Sequence, residues 1–418
     1  MKKLLILFAN GFPYNISEPF LENEYPFYRE YFDKVLIVTE CKRGENPTRQ
    51  VEDPCIEIIN DYTLSRDFRS VLKALPHALT DRKFYGEWFR LIRSKAFTMR
   101  RFYEMTVTAL CGNQRAYLAR KWVKSHNEFD QIVIYSYWLT IPAYAALKLK
   151  KLLGRPEIRA ISRCHGYDIY SERHKSDYIP FQGQNIRQLD EVAPASLDGK
   201  KYLEAKYGEY EKMHTWYLGA TDTGKRNPCT ERAPMQIVSC ARVVPIKRLE
   251  RIVDALALIK NIPVRWTHIG GGDGLEALIA YANTKLSGNI ECSFLGTIPN
   301  CQIYQQYQNT PYHAFVSVSA SEGGAPVSIC EALSFGIPVI ATAVGGQPEA
   351  VLDGRNGYLL DRDYEDAELA QTIERLALLP AEEYEKMRAA ARQIYDEKFD
   401  AVKNGREFIE TTLLQQRK

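Results

Sequence analysis

Two glutamates, Glu322 and Glu331, bracket a glycine turn and a proline in the stretch SASEGGAPVSICEALSFGIPVIATAVGGQPEAV, residues 319–351. Residues 315–318 read as a buried strand. Gly323 and Gly324 allow a tight turn beside a ligand. Pro326 suits the first helical position, and the helix should end near Gly336 with Pro338 beyond it. In a parallel α/β sheet, ligands sit at the carboxyl ends of strands, facing helix N-termini. Backbone N–H groups from Ala325 to Ser328 could therefore cradle a phosphate, with Ser319, Gly323, Gly324, Ala325, Pro326 and Val327 lining the site. A carboxylate beside a phosphate repels it, but it can accept two hydrogen bonds from neighbouring hydroxyls of a polyol. Two carboxylates around one phosphate cradle thus point to a diphosphate joined to two diol-bearing rings, a nucleotide-sugar. A single glutamate would read as an ordinary surface residue.

The diphosphate needs cations. Arg242 and Lys247 stand in SCARVVPIKRLERIVDAL, between a strand end and a helix start. Fixed positive charge at that place stabilises the departing diphosphate. Arg248 and Arg251 read as solvated helix residues. Gly271 and Gly272, in GGGDGL, follow a strand and open a helix. Leu275 stands where a dinucleotide fingerprint would need its third glycine, so the turn reads only as a place where a ligand nears the backbone. GATDTGKR, residues 219–226, resembles a phosphate loop, but Arg226 replaces the Ser or Thr that would hold magnesium.

The elements that must position these groups form a regular series. Apolar runs at 4–9, 35–40, 130–138 and 157–163 predict strands, with a helix over IPAYAALKLKKLLG. A polar stretch, residues 218–234, interrupts the rhythm and reads as a linker. Strands then follow at 235–241, 264–270, 290–296, 313–319, 337–343 and 357–360, with helices between them and two or three more over 365–416. This is an α/β chain of two parallel-sheet domains with crossover helices. The length of 418 residues and the 45% hydrophobic and 26% charged content fit two globular domains. A net charge of +3 excludes a nucleic-acid binder held by bulk charge. Nine scattered cysteines form no CxxC or Cys/His cluster, so neither a zinc site nor a disulfide framework is expected, and a reducing cytoplasm suits them. MKKLLILFANGF reads as a first buried strand and not a signal segment. Residues 82–124 carry 11 Lys or Arg against 2 Glu, with many aromatics. They read as a solvated helical face with its aromatics in the core, or more sharply as a patch for an anionic membrane.

Residues 319–351, with ARVVPIKR and FLGTIPN, resemble the C-terminal half of the family 4 retaining glycosyltransferases of GT-B fold. FANGFPYNISEPFLENEYPFY and RCHGYDIYSER resemble the N-terminal half of a bacterial exopolysaccharide and cell-surface polysaccharide subgroup. The resemblance implies two Rossmann-like α/β/α domains facing across a cleft. It places an acceptor-binding domain at 1–218, a linker at 219–234 and a nucleotide-sugar-binding domain at 235–398. A final helix, 399–418, returns to the first domain. It also implies that Glu322 lies near the donor sugar and Glu331 on the ribose, although their E-x8-E spacing is one residue longer than the family's. Leu295, Thr297 and Ile298 match a stretch that contacts the base, and Gly11 a loop near the phosphates. His165 matches a histidine that hydrogen-bonds the sugar or stabilises its developing positive charge, with a structural histidine at a strand end as the competing reading. Asp168 and Tyr170 would face the acceptor. The implied enzyme is a metal-independent hexosyltransferase with no cofactor, using a nucleoside diphosphate sugar, a UDP-sugar being expected. Its acceptor would be a glycan or lipid-linked glycan, and its location the cytoplasm or the inner membrane face. An epimerase of the same architecture and a non-catalytic glycan-binding protein are the alternatives.

Overall fold

The computed structural model describes residues 1–15, 18–42, 44–62, 76, 80–228, 231–286 and 288–415. They fall into two units. Unit 1 is Met1–Ala195, Gly199–Trp216 and Gly405–Lys418; unit 2 is Ser196–Asp198 and Tyr217–Asn404.

Unit 1 holds a parallel sheet of β1 (Lys3–Phe8), β2 (Lys34–Glu40), β3 (Ile56–Asp61), β4 (Gln131–Ser136), β5 (Arg159–Cys164) and β6 (Glu191–Pro194), in the order β3-β2-β1-β4-β5-β6. Its longer helices are α1 (Arg82–Arg93), α2 (Met99–Ser125) and α3 (Ile141–Leu153). Both faces of β1 are covered. Leu4, Ile6 and Phe8 pack with Ala116 and Ala119 of α2 and Ala143 and Ala146 of α3. Leu5 and Leu7 pack on the other face with Phe408, Ile409 and Leu413 of the C-terminal segment. Double-sided burial is why β1 reads as an unbroken apolar run. β3 and β6 escape the sequence reading for opposite reasons. β3 is a half-buried edge strand that includes Glu57 and Asn60, and β6 has four residues and ends in Pro194.

Unit 2 repeats the plan with β7 (Met235–Cys240), β8 (Val264–Ile269), β9 (Ile290–Phe294), β10 (Ala314–Ser317), β11 (Val339–Thr342) and β12 (Gly357–Leu360), ordered β12-β11-β10-β7-β8-β9. Its longer helices are α4 (Glu250–Leu258), α5 (Leu275–Lys285), α6 (Asn300–Asn309), α7 (Val327–Ser334), α8 (Asp366–Leu378) and α9 (Ala381–Ile394). Ile237 of β7 packs with α4 and α8, while Val238 faces Ile329 and Leu333 of α7.

Two details differ from the sequence reading. Residues 219–228, expected within a linker, are bonded into unit 2. Asn227 is buried and donates through Nδ2 to the carbonyls of Tyr307 (2.7 Å) and Thr310 (2.8 Å). Asp222 accepts from Arg392 (2.8 Å), and Ala220 N–H donates to the Phe399 carbonyl (2.9 Å). The polar composition that suggested a linker serves internal main-chain partners. Pro326 is the N-cap of α7, in extended conformation (φ −57°, ψ 139°), and not its first helical residue. At the other end Gly336 (φ +72°) donates to Leu333 and Ile337 to Ala332, the paired bonds of a Schellman cap.

Candidate nucleotide-sugar site

In unit 2, β7 and β10 are neighbours from which the chain winds in opposite directions, to β8 on one side and β11 on the other. The crevice outside the carboxyl ends of two such strands is the usual ligand position in open α/β sheets. Arg242 and Lys247 follow β7, and Glu322 follows β10. A short turn, Pro245–Lys247, is tied to the second loop by a bond from Ala320 N–H to the Ile246 carbonyl (2.8 Å). This brings together residues 75 positions apart: Lys247 Nζ donates to the Glu322 carboxylate in an ion pair. Arg242 is exposed on the same loop as Lys247.

Arg248 departs from expectation. It adopts φ +50° and donates from Nε to the Val318 carbonyl (2.8 Å) and from Nη2 to the Ser319 carbonyl (3.2 Å). Ser319 is itself buried, and its carbonyl also accepts from Thr342 Oγ1 (2.7 Å). Arg251 donates to Asp366 (2.8 Å). Neither is a solvated helix residue; both brace the loops.

Glu331 lies on α7 and is 4% exposed. Its Oε1 accepts from Asn300 Nδ2 (2.6 Å). Burial pushes its carboxyl up to about 7, and the Asn300 amide pulls the other way. Asn300 opens α6 directly after Leu295, Thr297 and Ile298, so the stretch assigned to the base adjoins the carboxylate assigned to the ribose.

Glycines hold the loops close. A Cβ at Gly270 (φ +139°) would lie 1.9 Å from the Ala241 carbonyl oxygen, and one at Gly271 would lie 2.4 Å from Thr297 Oγ1. Gly272 (φ +141°) sits against Val243 in the same way. Gly345 and Gly346 were not singled out from sequence. A Cβ at Gly345 would lie 1.9 Å from the Glu322 carbonyl oxygen, and one at Gly346 would lie 2.4 Å from the carbonyl carbon of Gly324. The backbone at 345–346 thus forms the floor of the Glu322–Gly323–Gly324–Ala325 turn. Their signal was visible as the second Gly-Gly pair, in AVGGQPEAV.

In unit 1, β1 and β4 are the corresponding switch-point neighbours. The N–H of Gly11, the group that would meet a phosphate, donates to Glu18 Oε2 (2.9 Å). His165 follows β5 and lies among Phe20, Tyr137 and Trp138, with ring centroids at 6.4, 4.9 and 4.7 Å. Among the described residues, neither ring nitrogen has a hydrogen-bond partner. Burial, helped by the Arg163 charge, holds its pKa down to about 3, so the ring is neutral at physiological pH. Asp168 is wholly buried and accepts from the N–H groups of Leu139 (2.6 Å) and His165 (2.5 Å). Tyr170 is buried against Tyr202. An acceptor-facing role suits neither residue. Among the described residues, no three His, Cys, Asp or Glu are grouped to hold a metal ion.

Residues 229–394 match the model of the family "Glycosyl transferases group 1". The chain is 27% identical to the colanic acid biosynthesis glycosyltransferase WcaL of Escherichia coli, over 61% of this chain and 64% of that one. It is 29% identical to the amylovoran biosynthesis glycosyltransferase AmsK of Erwinia amylovora, over 51% of this chain and 53% of that one. The chain thus spans less than two thirds of the length of each of these relatives. Among solved structures, the lipopolysaccharide outer core galactosyltransferase WaaB superposes with a TM-score of 0.71 at 16% identity, covering 99% of both chains. Anabaena HepE in complex with UDP-glucose gives 0.62 at 17% identity, covering 98% of this chain and 99% of that one. Residues 229–394 are thus similar to a glycosyl transferases group 1 domain, and the chain as a whole has the GT-B fold of two parallel α/β units.

Proposed function

We propose that the chain is a retaining, metal-independent glycosyltransferase of bacterial surface polysaccharide synthesis. It moves a sugar from a nucleoside diphosphate sugar, with UDP the expected nucleotide, to a hydroxyl of a glycan or lipid-linked glycan. The observation that carries the reading is the pairing of Lys247 with Glu322 on the loops after β7 and β10, together with a buried Glu331 on the helix that follows the Glu322 turn, whose carboxylate has, among the described residues, Asn300 as its side-chain donor. Glu331 has lone pairs to accept from a ribose diol. Glu322 is held where it can meet the sugar, and Lys247 and Arg242 supply charge for the diphosphate. HepE, whose complex contains UDP-glucose, supports the donor class. In this reading neutral His165 hydrogen-bonds the transferred sugar. The acceptor oxygen attacks the anomeric carbon on the face that the diphosphate leaves. As the old C–O bond breaks, the departing phosphate oxygen takes the acceptor proton.

The test is a thermal-shift screen of UDP, GDP and ADP and of their sugars, followed by turnover with glycan acceptors. One nucleotide should raise the melting temperature of the wild type, and that of Glu331→Ala by less at the same concentration. Nucleoside diphosphate release should depend on acceptor. Release of an altered nucleotide-sugar with no acceptor would make the protein an epimerase, and binding without turnover would make it a glycan-binding protein.

Peripheral membrane contact belongs to the same proposal. Not every charge of 82–124 is free at the surface: Arg115 is buried against Asp61 and Glu40, and the exposed Arg90 and Arg100 are paired with Glu87 and Glu104. What remains exposed is concentrated where α1 meets α2. Phe89 (65%), Ile92 (50%), Met99 (73%) and Tyr103 (66%) stand beside exposed Arg93, Lys95 and Arg100. Among the described residues, no helix is long and apolar enough to cross a membrane. Each basic residue at an anionic surface contributes about 1 kcal/mol, screened by salt. Arg93→Glu, Lys95→Glu is expected to lose sedimentation with phosphatidylserine vesicles at low salt. Equal recovery of the wild type on neutral and anionic vesicles would remove the idea.

A further inference from the structure

The turn after β1 already contains an anion. Glu18 is wholly buried, and its carboxylate accepts from three successive backbone N–H groups, Asn10 (2.8 Å), Gly11 (2.9 Å) and Phe12 (2.6 Å). Convergent N–H groups of this kind form a nest for an anion. A fourth donor, Trp138 Nε1 (2.7 Å), comes from the chain leaving β4. One side chain therefore joins the two loops at the switch point of unit 1. The Trp138 ring in turn lies 4.7 Å from the ring of His165. The main-chain N–H of His165 is held by the Asp168 carboxylate. The imidazole is thus fixed by its surroundings, while both ring nitrogens stay without a partner among the described residues.

We propose that Glu18 is a positioning residue. Its carboxylate takes the place of an external anion in the turn at residues 10–12, and through the Trp138 indole it fixes the ring wall that orients His165. Phosphate recognition then rests with the loops of unit 2, and the Gly11 turn serves to hold His165. That His165 meets the sugar rests on the proposed transferase activity; the fixing of Trp138 and His165 by Glu18 does not.

Glu18→Gln is nearly isosteric, but it presents an NH2 to donors that need an acceptor. The full-length variant is compared with wild type by circular dichroism, by NMR of ring-labelled histidine (His165 assigned with His165→Asn), by UDP calorimetry and by turnover. The expected result is a folded protein with a shifted or broadened His165 imidazole signal. Turnover should fall about tenfold, the scale of a small misplacement of a substrate-contacting group, with donor KM within about threefold of wild type. In the His165→Asn background, Glu18→Gln should add little further loss, which general loosening of the fold would not reproduce. Glu18→Asp, read in the same ways, replaces Glu18→Gln if that variant does not fold. Tighter UDP binding by the variant would overturn the proposal, because it would show that Glu18 blocks a phosphate site. An unchanged His165 signal in folded Glu18→Gln would also overturn it. If the wild type shows no transferase activity, the transferase reading fails, while the NMR comparison still decides whether Glu18 holds His165.

Discussion

Arg242→Ala, Lys247→Ala is expected to lose on the order of 10²-fold or more in turnover, with a smaller change in donor KM. Charge that meets the departing diphosphate acts mostly as the bond breaks, so its removal weighs on the transition state more than on binding. The ion pair adds a second expectation. Lys247→Ala alone removes a cation and also leaves Glu322 as an uncompensated carboxylate beside the diphosphate site. Glu322→Ala alone removes the group assigned to the sugar and frees Lys247. The two are therefore coupled, and residues in contact depart from additivity. Lys247→Ala, Glu322→Ala should be no worse than the poorer single variant within about threefold, where independent roles would multiply the losses. Lys for Arg242 should not fully restore a two-pronged contact. Near-normal turnover of the Arg242, Lys247 double variant would place the diphosphate elsewhere, and multiplied losses in the Lys247, Glu322 cycle would make the ion pair incidental.

The legible part of the molecule is the part in which one residue type suffices. Strands covered on both faces must be apolar along their interior, so β1, β4 and β11 stand out as runs. The turn that carries Glu322 is legible through Gly323 and Gly324, because few residues let a backbone bend so closely. What the sequence conceals is pairing. Lys247 and Glu322 meet only because β7 and β10 are neighbours, which follows from topology and not from spacing. Arg248 reads as a helix charge, yet its left-handed backbone aims the guanidinium at carbonyls of the neighbouring loop. Glu18 in SEPF resembles loop polarity, since nothing local shows that its partners are N–H groups six to eight positions earlier and an indole 120 positions later. Asn300 is hidden for the same reason: its partner, Glu331, lies 31 residues away. Buried polar groups satisfied at long range leave no periodic trace.

Glu331 is expected to make nucleotide binding depend on pH. In the proposed role a ribose diol donates to the carboxylate, so the ionised form would be the binding form. With its carboxyl pushed up to about 7 by burial, Glu331 is mostly protonated at pH 6 and mostly ionised at pH 8. Affinity for the nucleoside diphosphate should therefore rise about tenfold between these values. The terminal phosphate of the ligand also titrates, so Glu331→Gln is the reference: it keeps the phosphate contribution and loses the carboxylate's. Glu331→Ala should weaken binding by about 1.5–3 kcal/mol, roughly tenfold to a hundredfold, at pH 8. Stability should move in the opposite sense. A carboxyl whose folded pKa lies above its unfolded value of 4.5 favours folding most fully below pH 4.5, and that contribution is lost as pH rises through about 7. The ligand-free wild type at pH 8 thus carries the cost of a buried charge, and Glu331→Gln removes it. The variant should melt at a higher temperature than wild type at pH 8 and near the wild-type temperature at pH 5. Calorimetry with the nucleotide at pH 6 and 8, run beside melting curves of both proteins, checks the two halves together. If the wild type and Glu331→Gln share the same affinity profile, the ribose lies elsewhere; if Glu331→Gln binds as wild type does but melts higher at pH 8, Glu331 is only a buried charge.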